Sequence, residues 1–201
     1  MVVTAPFRAQ VLAWLHDHVP APRLQHILRV EALAAEWAGV HGLEVEEAAQ
    51  AGLLHDLAKY FPPQRLLELA RQGNVPIDAV TQAHPHLLHA DVSALIAHQT
   101  FGVENPQILE AIRDHTLGRP GMGPLSCVVF LADALEPGRG QTPELEALRH
   151  LVPRDLYAAT WKTCDLLLKS LLSHPRLVHP RTLETRNWAL QRALAAAGMA
   201  E

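Results

Sequence analysis

The chain has 201 residues, of which 49% are apolar and 19% charged, with a formal net charge of −4. This length and apolar content suit a single globular domain and exclude disorder, collagen and extended coiled coil. No run approaches the ~18 apolar residues of a membrane span, and the acidic balance argues against a general nucleic-acid binder.

Almost every segment reads as helix. Residues 7–19 carry Phe7, Val11, Leu12, Leu15 and Val19 at helical spacing. Helices follow at 22–39, opened by Pro22 and stopped by Gly39, at 44–60, and at 63–72, stopped by Gly73-Asn74. A loop through Pro76 leads to 85–101, then Asn105-Pro106 caps and opens 106–117. The glycine- and proline-rich loop 118–124 precedes a very apolar helix at 125–136. Thr142-Pro143 starts another, and 154–172 and 181–197 complete the set. No stretch alternates with period two for long enough to make a strand, so the expected fold is an all-α bundle.

Two features bear on compartment. Residues 1–10 hold no basic cluster followed by an apolar stretch, so no secretory leader is expected. Cys127 and Cys164 form neither a zinc knuckle nor a disulfide framework. Both suit a reducing cytoplasm.

The 13 histidines stand against only three lysines. Helical phase puts several of them on apolar faces. His26 is in phase with Val30, Leu33 and Trp37, and His55-Asp56 ends the apolar run 51–54. His89 is in phase with Val92 and Ile96, and His115 with Ile108 and Ile112. Asp133 lies within the apolar run 128–132 and beyond, in phase with Val129. Taken singly, each histidine is most simply a hydrogen-bonded core residue. Five helices that each aim an imidazole or carboxylate inward are another matter, because a buried aspartate without a partner is costly. A divalent metal supplies that partner.

The order His, His-Asp, His, His, Asp resembles the HD-domain metal phosphohydrolases. Longer strings are similar to one branch, the bacterial YqeK-type symmetrical diadenosine tetraphosphate hydrolases. They are Arg23-Leu24-Gln25-His26, then Ala51-Gly52-Leu53-Leu54-His55-Asp56-Leu57-Ala58-Lys59, then Leu87-Leu88-His89. Next come Asp114-His115-Thr116-Leu117-Gly118-Arg119-Pro120-Gly121-Met122 and Leu131-Ala132-Asp133-Ala134-Leu135-Glu136-Pro137-Gly138-Arg139. Near the C-terminus stands Arg181-Thr182-Leu183-Glu184-Thr185-Arg186-Asn187. The resemblance covers about residues 20–190. It implies one domain over 1–201, with an HD metal-binding core at about 20–138 and C-terminal helices at about 142–198 packing on it.

The resemblance further implies His26, His55, Asp56 and Asp133 as ligands of iron, with manganese or another divalent metal as the alternative. Asp56 would bridge to a second metal on His89 and His115, or those histidines would touch substrate phosphate instead. The string Ala83-His84-Pro85-His86-Leu87-Leu88-His89 departs from the family and offers three candidates, of which His89 fits both motif and apolar phase.

A bound metal lowers the pKa of its water and acts as a Lewis acid, which is what an anionic polyphosphate chain demands. The implied reaction cuts diadenosine tetraphosphate centrally into two ADP, with Asp56, Lys59, His89 and His115 as the catalytic group. The implied substrate contacts are Asp56, His89, His115 and Asp133 together with Arg23, Lys59, Thr116, Arg139, Arg181, Thr182 and Arg186. Arginine suits bidentate phosphate contact. The expected partners are a dinucleoside polyphosphate and ADP, with no nucleic acid and no membrane. A homodimer is open to an apolar-rich bundle. Two alternatives stand beside this: an HD phosphohydrolase of nucleoside monophosphates or cyclic nucleotides, and a metal-stabilised nucleotide sensor without turnover.

Overall fold

The computed structural model describes residues 5–198, so the ends of the 1–201 assignment lie outside it. Eleven α-helices are found among the described residues, and no strand, as the all-α expectation requires. They are α1 (Ala5–His18), α2 (Ala21–Val40), α3 (Val45–Leu54), α4 (Pro63–Gln72), α5 (Ala79–Ala83), α6 (His89–Phe101), α7 (Pro106–Asp114), α8 (Pro124–Leu135), α9 (Pro143–Leu151), α10 (Leu156–Leu172) and α11 (Pro180–Ala196). Short 3₁₀ turns, Pro85–Leu88 and Pro137–Arg139, precede α6 and follow α8. No described helix is long and apolar enough to cross a membrane.

Proline opens α2, α4, α7, α8, α9 and α11, where its missing N–H costs nothing. Asn105 and Thr142 cap their helices through side-chain oxygens. The apolar helix α8 forms the centre, buried from Leu125 through Ala132 and again at Leu135. It packs against α2, α3, α7 and α10, and α10 pairs with α11. Full burial of a side chain such as Phe130 is worth about 1.5–3 kcal/mol. A smaller cluster of Ala58, Phe61, Leu66, Ala70, Leu88 and Val92 joins α4 to α6.

The helix α2 lies close against α3 because Gly52 has no side chain. A Cβ there would meet the Glu31 Cα at 3.0 Å and the Val30 carbonyl oxygen at 3.1 Å. This approach brings His26 beside His55.

Three expected helices are shorter than their patterns suggest. The 44–60 helix ends at Leu54, and residues 55–60 continue as turns, with Lys59 N–H bonded to the Asp56 carbonyl. The 106–117 helix ends at Asp114, and the 85–101 helix begins as 3₁₀ and becomes α at His89. The helix α5 falls in the expected loop. Asp78 and Thr81 form a reciprocal capping box around it.

Candidate metal centre

Six side chains converge where α2, α3, α6, α7 and α8 meet. His26 comes from α2, His55 from the end of α3 and Asp56 from the next turn. His89 opens α6, His115 follows α7, and Asp133 lies on α8. All but Asp133 are buried. Asp56 sits between two groups of imidazoles. Its Oδ2 lies 3.4 Å from His55 Nε2 and 3.9 Å from His26 Nε2. Its Oδ1 lies 3.2 Å from His89 Nε2 and 3.6 Å from His115 Nε2. Asp133 Oδ1 is 3.0 Å from His26 Nε2 and 4.0 Å from His55 Nε2. Within His26, His55 and Asp56, and again within Asp56, His89 and His115, donor atoms lie within 4.8 Å of one another.

The imidazoles share a device that turns Nε2 inward. His55 Nδ1 donates to the Gly52 carbonyl at 2.6 Å, His89 to His86 at 2.5 Å, and His115 to Ile112 at 2.7 Å. In each case the acceptor is the carbonyl three residues back, and for His55 and His115 it lies in the last turn of the preceding helix. With the proton on Nδ1, Nε2 carries a lone pair. His26 differs, for its Nδ1 meets the carboxylate of Glu136 at 3.0 Å. Glu136 carries no role in the sequence reading, although it stands within the Asp133–Arg139 string.

The electrostatics follow from burial and crowding. Burial pushes the Asp56 and Asp133 carboxyls up, but their imidazole neighbours hold both well below the usual range. His89 drops to about 4, through burial first and then the charge of Lys59. His26 Nε2, His55 Nε2 and Asp56 Oδ1 are buried without a hydrogen bond. Lone-pair nitrogens and an ionised oxygen left unbonded in one buried space fit a cation, and the mixed imidazole and carboxylate donors suit a transition metal.

The expected cations divide. Arg23 donates to Asp56 Oδ2 at 2.9 Å, and Arg139 to Asp133 Oδ1 at 2.5 Å. Lys59 Nζ is 3.1 Å from His89 Nε2. The Thr116 hydroxyl lies 3.1 Å from His89 Nε2 and 3.0 Å from His115 Nε2. A cavity of about 170 Å³ opens over this side, lined in part by Arg23, His26, Tyr60, Glu136 and Arg139. Thr182 lines a second cavity with His84, His86, Arg176 and His179, and Arg181 a third with Asp78 and Asp91. Both of those cavities reach Leu117, two residues from His115. His84 and His86 therefore lie outside the imidazole cluster, to which His86 gives only its carbonyl. Arg186 is not brought to the cluster. It pairs with Asp165 at 2.8 Å and lies over Trp161. A larger cavity of about 480 Å³ between α9 and α10 contains none of the convergent groups.

The HD domain family matches residues 23–138, the stretch that spans all six converging residues. The symmetrical bis(5'-nucleosyl)-tetraphosphatase of Bacillus subtilis is 32% identical over 90% of this chain and 96% of its own length. That of Halalkalibacterium halodurans is also 32% identical, over 91% of this chain and 97% of its own. The crystal structure of a predicted HD superfamily hydrolase involved in NAD metabolism, from Clostridium acetobutylicum, superposes with a TM-score of 0.87. It is 28% identical, over 92% of this chain and 97% of that one.

Proposed function

Because the chain belongs to the HD-domain family of symmetrical bis(5'-nucleosyl)-tetraphosphatases, we propose that it hydrolyses diadenosine tetraphosphate at the centre of its phosphate chain to give two ADP. The observation that carries this reading is buried Asp56, with two imidazole nitrogens near each carboxylate oxygen and Oδ1 unbonded.

His26, His55, Asp56 and Asp133 would hold iron, with manganese or another divalent metal as the alternative. His89 and His115 would share Asp56 with a second ion or face substrate phosphate. A bound metal supplies an activated water and a Lewis acid. The chain's own residues do the rest. Arg23 and Arg139 stand at the mouth of the small cavity, where a forked cation can hold phosphate oxygens. Lys59 and Thr116 stand beside His89 and offer donors to the attacked phosphate. His89 and His115 turn lone-pair nitrogens toward it. Arg181 and Thr182 line cavities that meet at Leu117, on the route for the rest of the substrate. Cutting in the middle requires one ADP half to be held so that its second phosphate faces Asp56. We read the chain as one domain, and as a homodimer that sedimentation would test.

The test is product analysis. Metal-loaded protein incubated with diadenosine tetraphosphate should give ADP alone, and Asp56→Ala should give none and hold less metal. ATP plus AMP would overturn central cleavage. Full activity in Asp56→Ala would overturn the site.

A further inference from the structure

We infer that Glu136 is a positioning residue for His26, fixing its tautomer and strengthening its hold on the metal. The inference rests on the metal reading proposed above. Glu136 is a carboxylate with 1% exposure, at the head of the 3₁₀ turn that follows α8. Its Oε1 faces His26 Nδ1 at 3.0 Å, and its Oε2 accepts from Gly138 N–H at 2.6 Å and from Arg29 Nε. A carboxylate that already accepts from a guanidinium and a backbone N–H offers His26 Nδ1 an acceptor, so Nδ1 carries a proton and Nε2 is the nitrogen that faces the proposed metal.

The other three imidazoles of the cluster rest on neutral backbone carbonyls. His26 alone has a charged acceptor behind it. Such a partner raises the donor strength of a ligand imidazole. The four-ligand side of Asp56 is therefore the stronger metal site, and the His89–His115 side the weaker one.

The geometry around Glu136 is built to keep it there. A Cβ on Gly138 would lie 2.4 Å from Arg29 Nη2 and 2.9 Å from Glu136 Oε1, so glycine leaves room for the pair. One residue further on, Arg139 holds Asp133. The segment 136–139 thus contacts two of the proposed ligands, His26 at Nδ1 through Glu136 and Asp133 at Oδ1 through Arg139.

The test compares Glu136→Gln with Arg29→Met, using the metal-loaded protein and a competing chelator. Glutamine keeps the shape and removes the charge. Glu136→Gln should weaken metal retention about 10- to 100-fold. Arg29→Met leaves the carboxylate in place and should stay within about threefold of the parent protein. In the zinc-loaded, ¹⁵N-histidine-labelled protein, the Nδ1 proton of His26 should move upfield in Glu136→Gln and remain in Arg29→Met. Equal loss of metal in both variants would mean that the Arg29–Glu136 pair is a structural clamp, and would overturn the inference. So would unchanged affinity and an unmoved proton in Glu136→Gln, while the metal reading would survive. A parent protein that binds iron, manganese and zinc nowhere would overturn both. If Glu136→Gln does not fold, the parent spectrum decides: an Nε2–H tautomer at His26 sinks the inference, and an Nδ1–H tautomer with a downfield proton supports it.

Discussion

The Nε2 atoms of His89 and His115 face each other at 3.1 Å, although each ring already donates through Nδ1 to a carbonyl. Two lone pairs at that distance repel unless something stands between or beside them. Lys59 and Thr116 supply donors, and a second metal ion would do so more strongly. His89→Ala should therefore keep the metal held by His26, His55, Asp56 and Asp133 and lose any second equivalent. Hydrolysis should fall by about 100-fold or more, in the range for a group that handles protons or phosphate in the reaction. Metal analysis beside turnover checks this. Loss of all metal would mean that the two groups do not bind independently.

Lys59→Met should act on the same ring. Burial is the first cause of the low value of His89, about 4, and the lysine charge the second. Removing the charge moves that value up toward the ordinary 6.5. The sign follows from proton binding. Between about 4 and 6.5 the unfolded chain binds a proton at His89 that the folded chain refuses, so stability falls as the pH drops through that window. In Lys59→Met the fall should be shallower. Urea unfolding of chelator-treated protein between pH 4 and 7 measures it, and an equal slope in both proteins would contradict the assignment.

Arg23 and Arg186 should separate cleanly. Arg23 reaches Asp56, and its replacement by alanine should cost about 10- to 100-fold in kcat/KM, the equivalent of one charge-assisted hydrogen bond. Arg186 pairs with Asp165 in a half-buried, partly solvated ion pair, so Arg186→Ala should leave kcat/KM within about twofold and cost less than ~1 kcal/mol of stability. Steady-state kinetics on both variants decide the matter. A large kinetic loss in Arg186→Ala would require α11 to move toward the cluster.

Gly52→Ala should damage the centre without changing any of its polar side chains. The added methyl meets the backbone of Glu31 and pushes α3 away from α2. Overpacking of this kind costs about 1–3 kcal/mol. The same displacement separates His26 from His55, so metal affinity should fall together with the melting temperature. A variant with a lower melting temperature and unchanged affinity would show that the two helices shift without spreading the ligands.

Cys127 and Cys164 should be silent in the native state. Burial pushes both thiols up to about 12, and both side chains are closed to solvent. A thiol reagent at neutral pH should label neither until denaturant is added, because the thiolate is the reactive form. Rapid labelling of the native protein would point to local opening of α8 against α10.

The helices and most of the convergent side chains were legible because their signals are local. Proline and glycine punctuate the chain, and the apolar phase of each helix points its histidine or aspartate inward. The helix ends were harder to see for a local reason of another kind. At His55 and His115 the pattern runs on, but the imidazole takes a carbonyl at the end of its own helix and residues beyond continue as turns. The five-residue helix α5 is too short to show a period, and only its capping box marks it. Glu136 was hidden because its partner, His26, is 110 positions away. The resemblance implies a phosphate contact for Arg186, and no local pattern along α11 reveals its partner Asp165 on α10.

The carbonyl three residues back also separates local from long-range control of the imidazoles. His55, His89 and His115 are aimed by bonds that form within their own short segments. Those three orientations need only a local turn of chain, which the packing of the whole fold then holds in place. His26 takes its acceptor instead from a distant residue, Glu136. The proposed site is therefore complete only when the chain has closed over the 110 positions from His26 to Glu136.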